Sequence, residues 1–180
     1  MKKKTYLFQS NRLGFRKWQP SDLEDFIKLN ADSEVMEHFP KTLTKVESEL
    51  LMEKINTHWV EYGFTYYAVE ILASGEWIGM LGLAYQEYSS KYTPAIDIGW
   101  RLKKSAWGKG YATEGAKNCL THAFDDLGIH QLISVCSTTN LRSERVMQKI
   151  GMIKMGEFNH PKLGHHPRLE KHYCYRLTNG

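Results

Sequence analysis

Residues 94–114 read PAIDIGWRLKKSAWGKGYATE, and their pattern decides the architecture. From Pro94 to Leu102 the residues alternate. Ile96, Ile98, Trp100 and Leu102 face one way, and Asp97, Gly99 and Arg101 face the other, which is the period of a strand. Helical spacing then takes over. Ala112, Ala116, Cys119, Leu120, Ala123, Phe124 and Leu127 fall on one face of a helix predicted over 111–127, and Gly128 stops it. Gln131 to Ser137 reads as a short buried strand. Strand, helix and strand in that order predict a parallel pair joined by a right-handed crossover.

Working outward, residues 12–18 read as a first strand ended by Pro20. Ser21 with Glu24 three residues on predicts a capping box and a helix, with Leu23, Phe26, Ile27 and Asn30 on one face. Thr44 with Glu47 repeats the device. Val46, Leu50, Leu51, Ile55, Trp59 and Tyr62 then recur at helical spacing until Gly63. Thr65 to Leu72 and Trp77 to Tyr85 flank the turn signal Ser74–Gly75 and read as a hairpin. Downstream, Asn140 caps a helix to Ile150, with Val146, Met147 and Ile150 inward and Gly151 as its stop. Strands near 153–158 and 169–177 finish the chain. The order is β-α-α-β-β-β-α-β-α-β-β. It predicts one α/β (α+β) domain over 1–180, with a mixed, mostly antiparallel sheet of about seven strands and helices on both faces.

Composition narrows the function classes. The 180 residues are 42% hydrophobic and 24% charged, ordinary globular values that exclude wholesale disorder. Lys and Arg number 24 against 20 Asp and Glu, a net charge of +4. That mild balance suits an anionic small ligand and lacks the dense basic stripe of a nucleic-acid binder. The longest run of apolar residues and glycines, Trp77 to Tyr85, is nine residues, too short to cross a bilayer. Lys2, Lys3 and Lys4 imitate the start of a signal peptide, but Gln9, Ser10, Asn11 and Arg12 interrupt the apolar stretch it needs. Cys119, Cys136 and Cys174 are far apart and sit in apolar-patterned segments. They predict buried thiols in a reducing compartment, hence a cytoplasmic protein.

The chemistry concentrates in Trp107-Gly108-Lys109-Gly110-Tyr111-Ala112-Thr113-Glu114. Gly108 and Gly110 let the backbone turn tightly and approach a ligand. The helix that follows leaves its first N–H groups unpaired and carries partial positive charge there, which suits a phosphate or pyrophosphate. The same string also reads as a plain glycine turn into a helix. It satisfies neither G-x-G-x-x-G nor G-x-x-x-x-G-K-[ST], which speaks against nicotinamide cofactors and ATP.

This stretch resembles the acetyl-CoA loop of the GNAT superfamily of N-acyltransferases. Its pattern [Gln/Arg]-x-x-Gly-x-[Gly/Ala] falls on Trp107-x-x-Gly110-x-Ala112. Trp107 departs from Gln/Arg, as is typical of the RimJ/RimL-like branch. Three further parts are similar to that branch: Arg12 to Glu37; Asn140-Leu141-Arg142-Ser143 with VMQKIGM at 146–152; and the tail around His160, with Asn159 where Asp is usual.

The resemblance implies an acetyl-CoA-dependent N-acetyltransferase, releasing CoA, that acylates the amine of a small molecule or a peptide, as a monomer or homodimer; the charge and the short apolar runs speak against nucleic-acid and membrane partners. It implies that pantetheine lies along the backbone of Ile98, Gly99, Trp100, Arg101 and Leu102. A backbone N–H near Trp100 would hold the oxyanion. The pyrophosphate would rest on Gly108 to Ala112, extending to Thr113, with Trp107 beside it and Lys109 and Lys149 as cations. Asn140 would bond pantetheine and Ser143 would protonate the leaving thiolate. For the general base Asp97, Glu87, His160 and His166 stay open. Phe15, Trp18, Phe39 and Trp59 are candidates for the acceptor pocket, with core packing as the competing role. His160, His165, His166 and His172 cluster in thirteen residues, yet without metal-ligand spacing, so no metal is expected. The competing function is a regulatory module that binds CoA without catalysis.

Overall fold

The computed structural model describes residues 5–179, so Lys2, Lys3 and Lys4 lie outside the described residues. One eight-stranded sheet runs in the order β1-β2-β3-β4-β5-β6-β8-β7. Its strands are β1 (Phe8–Gln9), β2 (Leu13–Arg16), β3 (Tyr66–Ile71), β4 (Trp77–Gln86), β5 (Ala95–Leu102), β6 (Gln131–Ser137), β7 (Ile153–Asn159) and β8 (Lys171–Thr178). The helices are α1 (Leu23–Ala31), α2 (Lys45–Tyr62), α3 (Tyr111–Thr121), α4 (Leu141–Lys149) and α5 (Pro167–Glu170). The β5–β6 pair is parallel. Every other neighbour pair is antiparallel.

The predicted order holds, with local differences. β1 is an added edge strand, too short to show a period. The first helical turn is a 3₁₀ segment over Pro20–Asp22, and the Asp22 carboxylate accepts from the Gln19 N–H at 2.8 Å. The cap at this helix start is therefore Gln19 and Asp22, not Ser21 and Glu24. Thr44 and Glu47 do form their capping box. On α2, Val46 and Leu50 are 62% and 59% exposed. The buried line is Ser48, Met52 and Ile55, spaced four and three residues apart, because that line meets α1 and the sheet. α3 ends in a π-helical turn over His122–Asp126 before Gly128. Leu169 belongs to α5 rather than to the last strand.

Two cores flank the sheet. One joins Leu13, Phe15, Tyr67, Leu81, Ile98 and Leu102 to Ala116, Cys119 and Leu120 of α3. The other joins Trp18, Phe26 and Leu29 to Met52, Ile55, Ala68 and Met80 beneath α1 and α2. The cysteines are free and buried. Burial pushes Cys136 up to about 12 and Cys174 up to about 11, so neither is a ready nucleophile. Among the described residues no helix is long and apolar enough to cross a membrane.

Candidate functional site

β5 is paired with β4 along its whole length, Ala95 opposite Gln86 through Leu102 opposite Gly79. On the β6 side its only register partner is Ile133, opposite Asp97. The Ser134 hydroxyl donates to the Ile98 carbonyl at 2.8 Å, one position further along both strands. Gly99, Trp100, Arg101 and Leu102 therefore present a strand edge without a partner on β6. An extended ligand can complete such an edge.

Beyond that edge lies the glycine loop. Gly108 and Gly110 have φ of +73° and +81°, a left-handed backbone that only glycine adopts without strain. Gly110 caps α3. The first helical bond runs from the Glu114 N–H to the Gly110 carbonyl at 3.0 Å, so the amides of Tyr111, Ala112 and Thr113 have no acceptor within the helix. Gly108, Lys109 and Gly110 are exposed. The loop is braced from behind. Glu114 accepts from Ser10 Oγ at 2.7 Å, from the Arg12 N–H at 2.8 Å and from Arg12 Nε at 2.6 Å. Arg12 also donates to the Lys109 carbonyl and lies over the Tyr111 ring.

The helix α4 faces the same edge. Asn140 caps it, accepting from the Ser143 N–H at 3.1 Å. The indole N–H of Trp100 donates to Ser143 Oγ at 3.3 Å, which joins β5 to the first turn of α4. The Asn140 oxygen thus has a structural task. Arg142 stacks on Trp107 with its guanidinium 4.3 Å from the ring centre. Lys149 is exposed in the last turn of α4 and makes no ion pair among the described residues.

The opposite side of β5 carries buried charge. Asp97 accepts from the Tyr66 hydroxyl at 2.7 Å and from Gln86 Nε2 at 3.1 Å. Burial pushes its carboxyl up to about 6, against the pull of those two hydrogen bonds. Tyr66 lies across Gly99, where a Cβ would come within 3.3 Å of its hydroxyl. Burial and Asp97 hold the Tyr66 phenol well above its ordinary value. Arg101, two strand positions further, donates to Asn30 Oδ1 at 2.6 Å and lies 4.2 Å over the Phe39 ring. Asn30 is fixed in turn by its own donation to Ser48 Oγ at 3.2 Å.

The remaining predicted residues fall in different places. Phe15 is fully buried in the α3-side core and Trp18 is buried in the α1-side core, its indole N–H donating to the Tyr66 carbonyl. Both rings pack into the core. Trp59 packs on Tyr67 and under Lys17, on the α3-side cluster. Phe39 stands at a cleft of about 290 Å³ together with His165, His166 and Arg168. His160 packs against Tyr88 and His172 with tilted rings, centres 4.5 and 5.0 Å apart. Burial, His172 and Lys162 push it down to about 4, a weaker base than Asp97. Glu87 is exposed. No three His, Cys, Asp or Glu side chains of the described residues converge as a metal site. Tyr66, Gln86 and the Arg101 side chain were not anticipated. The available signal was two charged residues on a strand covered on both faces, where charge is costly without a purpose.

The whole arrangement has known counterparts. The family model of the GNAT acetyltransferase domain matches residues 12–153. An uncharacterized N-acetyltransferase of Bacillus subtilis, YnaD, is 27% identical over 150 residues, covering 83% of this chain and 84% of its own. The crystal structure of a GNAT-family acetyltransferase from Bacillus anthracis superposes with a TM-score of 0.77 at 26% identity, covering 94% of this chain and 96% of that one. At 17% identity, the spermidine N-acetyltransferase of Vibrio cholerae, solved with CoA and spermine, shares the fold with a TM-score of 0.72, covering 93% and 95% of the two chains. Ribosomal-protein and aminoglycoside acetyltransferases match the fold comparably, and no single branch stands out. With most of its length matched by the family model, the chain belongs to the GNAT acetyltransferases.

Proposed function

We propose that this protein is an acetyl-CoA-dependent N-acetyltransferase of RimJ/RimL-like type that acetylates a primary amine directly. One observation carries the reading. The unpaired edge Gly99–Leu102 lies between the glycine loop and the α4 cap on one side, and a buried carboxylate backs the same strand on the other. The residues fit the thioester donor. Pantetheine would complete the edge of β5 as an added strand. Pyrophosphate would meet the amides of Tyr111 to Thr113, with Lys109 exposed nearby. Three buried free thiols support a reducing, cytoplasmic setting.

Neutral amine nitrogen attacks the thioester carbon beside Trp100, where a backbone N–H holds the oxyanion. The C–N bond forms, the C–S bond breaks, and the thiolate leaves toward Ser143. The proton lost by nitrogen passes through the Tyr66 hydroxyl to Asp97. Tyr66 suits this relay because it reaches Gly99 while bonded to the carboxylate. At about 6, Asp97 is ionised at neutral pH and accepts the proton.

The test pairs thermal unfolding in acetyl-CoA, CoA, ATP or NAD with thiol release over a panel of amines. A ligand at 100 times its Kd adds about 2.7 kcal/mol, about 2–4 °C per kcal/mol at this size. Shifts with acetyl-CoA and CoA alone, plus amine-dependent thiol release, are expected. Binding without turnover by any amine would instead make this a CoA-responsive regulatory module. No shift would remove the donor assignment.

A further inference from the structure

Arg101 is a cation without a counter-ion. Its Nη1 donates to the neutral oxygen of Asn30 and its plane rests on Phe39. Its Nε–H is buried and has no acceptor. Among the described residues no carboxylate comes within ion-pair distance of it, although the buried Arg16 and even the exposed Arg12 are paired. Arg12 holds Glu114, and Arg16 holds Asp22 and Glu70. One of the five guanidinium donors is used, and the remaining fork is the shape that takes a carboxylate by two parallel bonds.

The position of this cation gives it a use. Arg101 follows Trp100 on β5, and its side chain lies on the α1 side of the strand, the side of Tyr66 and Asp97. Asn30 and Phe39 hold it from α1 and from the loop that leads to α2, so it is fixed before any ligand arrives. The rim beyond Phe39 is also cationic. Arg168 donates to the Glu37 carbonyl, and Arg142 lies 3.6 Å from the Glu37 carboxylate. A polyamine or aminoglycoside approaching here meets like charge. A molecule with an amine and a neighbouring carboxylate meets Arg101 at one end and the Tyr66–Asp97 pair at the other.

We propose that Arg101 selects the acceptor, and that the acceptor amine carries a carboxylate held by the Arg101 guanidinium. Two sources share that chemistry, a free amino acid and a peptide with an acidic residue beside its free amino end. The proposal rests on the acetyltransferase reading for the fate of the amine, and on Arg101 alone for recognition.

The experiment uses the full chain with acetyl-CoA and matched acceptors. Glutamate is compared with its diamide, an amidated Ser-Asp peptide with the amidated Ser-Asn peptide, and spermidine serves as the polycation. The carboxylate member of at least one pair is expected to exceed its amide by about 10- to 100-fold in kcat/KM, mostly through KM, with spermidine poorest. Whichever pair shows the difference identifies the source. In Arg101→Met the ratio is expected to collapse toward one, and Arg101→Lys restores part of it. If Arg101→Met does not fold, Phe39→Leu, which removes the face under the guanidinium, is expected to lower the same ratio. Equal use of both members, preference for spermidine, or a ratio that survives these substitutions overturns the proposal. If acetyl-CoA is neither bound nor consumed, the acetyltransferase reading falls. The thermal shifts given by the same ligand pairs still decide Arg101. A shift with the carboxylate members that is lost in Arg101→Met upholds it, and equal or absent shifts overturn it.

Discussion

On its α3 side β5 presents Trp100 to a serine in the first turn of α4, next to a glycine loop whose offered groups are backbone amides. On its α1 side the same strand presents Asp97 and Arg101 to Tyr66, Gln86, Asn30 and Phe39, residues from α1, β3, β4 and a loop. The first side is made of main chain and helix ends, which keep their shape with any side chains that permit the turn. The second is made of buried charge, whose properties depend on each neighbour. Substitutions should therefore act differently on the two sides. Side-chain changes on the α1 side should alter rate and pH dependence, and backbone-directed changes on the α3 side should alter donor affinity.

The largest effect is expected at Asp97. Asp97→Asn should lower kcat by about 10²–10³-fold, within the range for a lost general base. It should also raise stability. A carboxyl at about 6 in the folded protein, against 3.8 in the unfolded chain, binds more protons when folded between those values. Stability therefore falls as pH rises through that window and stays lowered above it, by on the order of 3 kcal/mol. A neutral amide at this position escapes the penalty, so the variant should melt above the wild type at pH 7.5, with a smaller gain at pH 4.5. Wild-type kcat/KM should rise with pH around 6. Loss of rate without any gain in stability would show that Asp97 is not a strained carboxylate held for function.

Tyr66→Phe comes next. It removes the hydroxyl that joins Gly99 to Asp97 and leaves the ring in place. The expected loss in kcat is about 10-fold, since water can fill part of the relay. The pH midpoint should move up as Asp97 loses a donor. An unchanged profile would detach Tyr66 from the proton path.

The contrast between the sides also explains what could be read from the chain beforehand. The alternation of 94–102, the Thr44–Glu47 box, the Asn140 cap and the glycines at 108 and 110 are local, so each was visible in a few consecutive residues. The exposed Val46 and Leu50 misled because α2 turns a mixed line, Ser48 with Met52 and Ile55, toward α1, and only the packing shows that choice. Phe15 and Trp18 stood open between acceptor pocket and core because aromatic composition does not separate the two. The site around Arg101 was invisible for a stronger reason. Its partners Asn30 and Phe39 are more than sixty positions away, and what marks the arginine is the missing carboxylate, which no local pattern reveals.

On the α3 side, Gly110→Val forces a β-branched residue to φ near +81°, at about 1–2 kcal/mol. Little else opposes the side chain, because the nearest atom to a Cβ there is Arg12 Nη2 at 3.5 Å. Acetyl-CoA affinity should fall about 10-fold as the loop shifts. Gly63→Val is the control. Gly63 caps α2 at φ +76° with open space around it, remote from the loop. It should lose comparable stability and keep donor affinity. Equal losses of affinity in both variants would mean that the loop acts only through global stability.

The smallest effect is expected at Ser143. Its hydroxyl accepts one long bond from Trp100 and lies where the thiolate of the donor would leave. A thiol of pKa about 8.5 is already a good leaving group, so protonation adds little to the transition state. Ser143→Ala also keeps the N–H that Asn140 caps, so α4 should start in the same place. The expected loss in kcat is about three- to fivefold, with KM for acetyl-CoA almost unchanged, and the fivefold end corresponds to about 1 kcal/mol. A loss of a hundredfold or more would require proton donation to sulfur in the rate-limiting step. The α3 side of β5 would then hold a side chain as demanding as Asp97, and the division between a main-chain face and a charged face would fail at this residue.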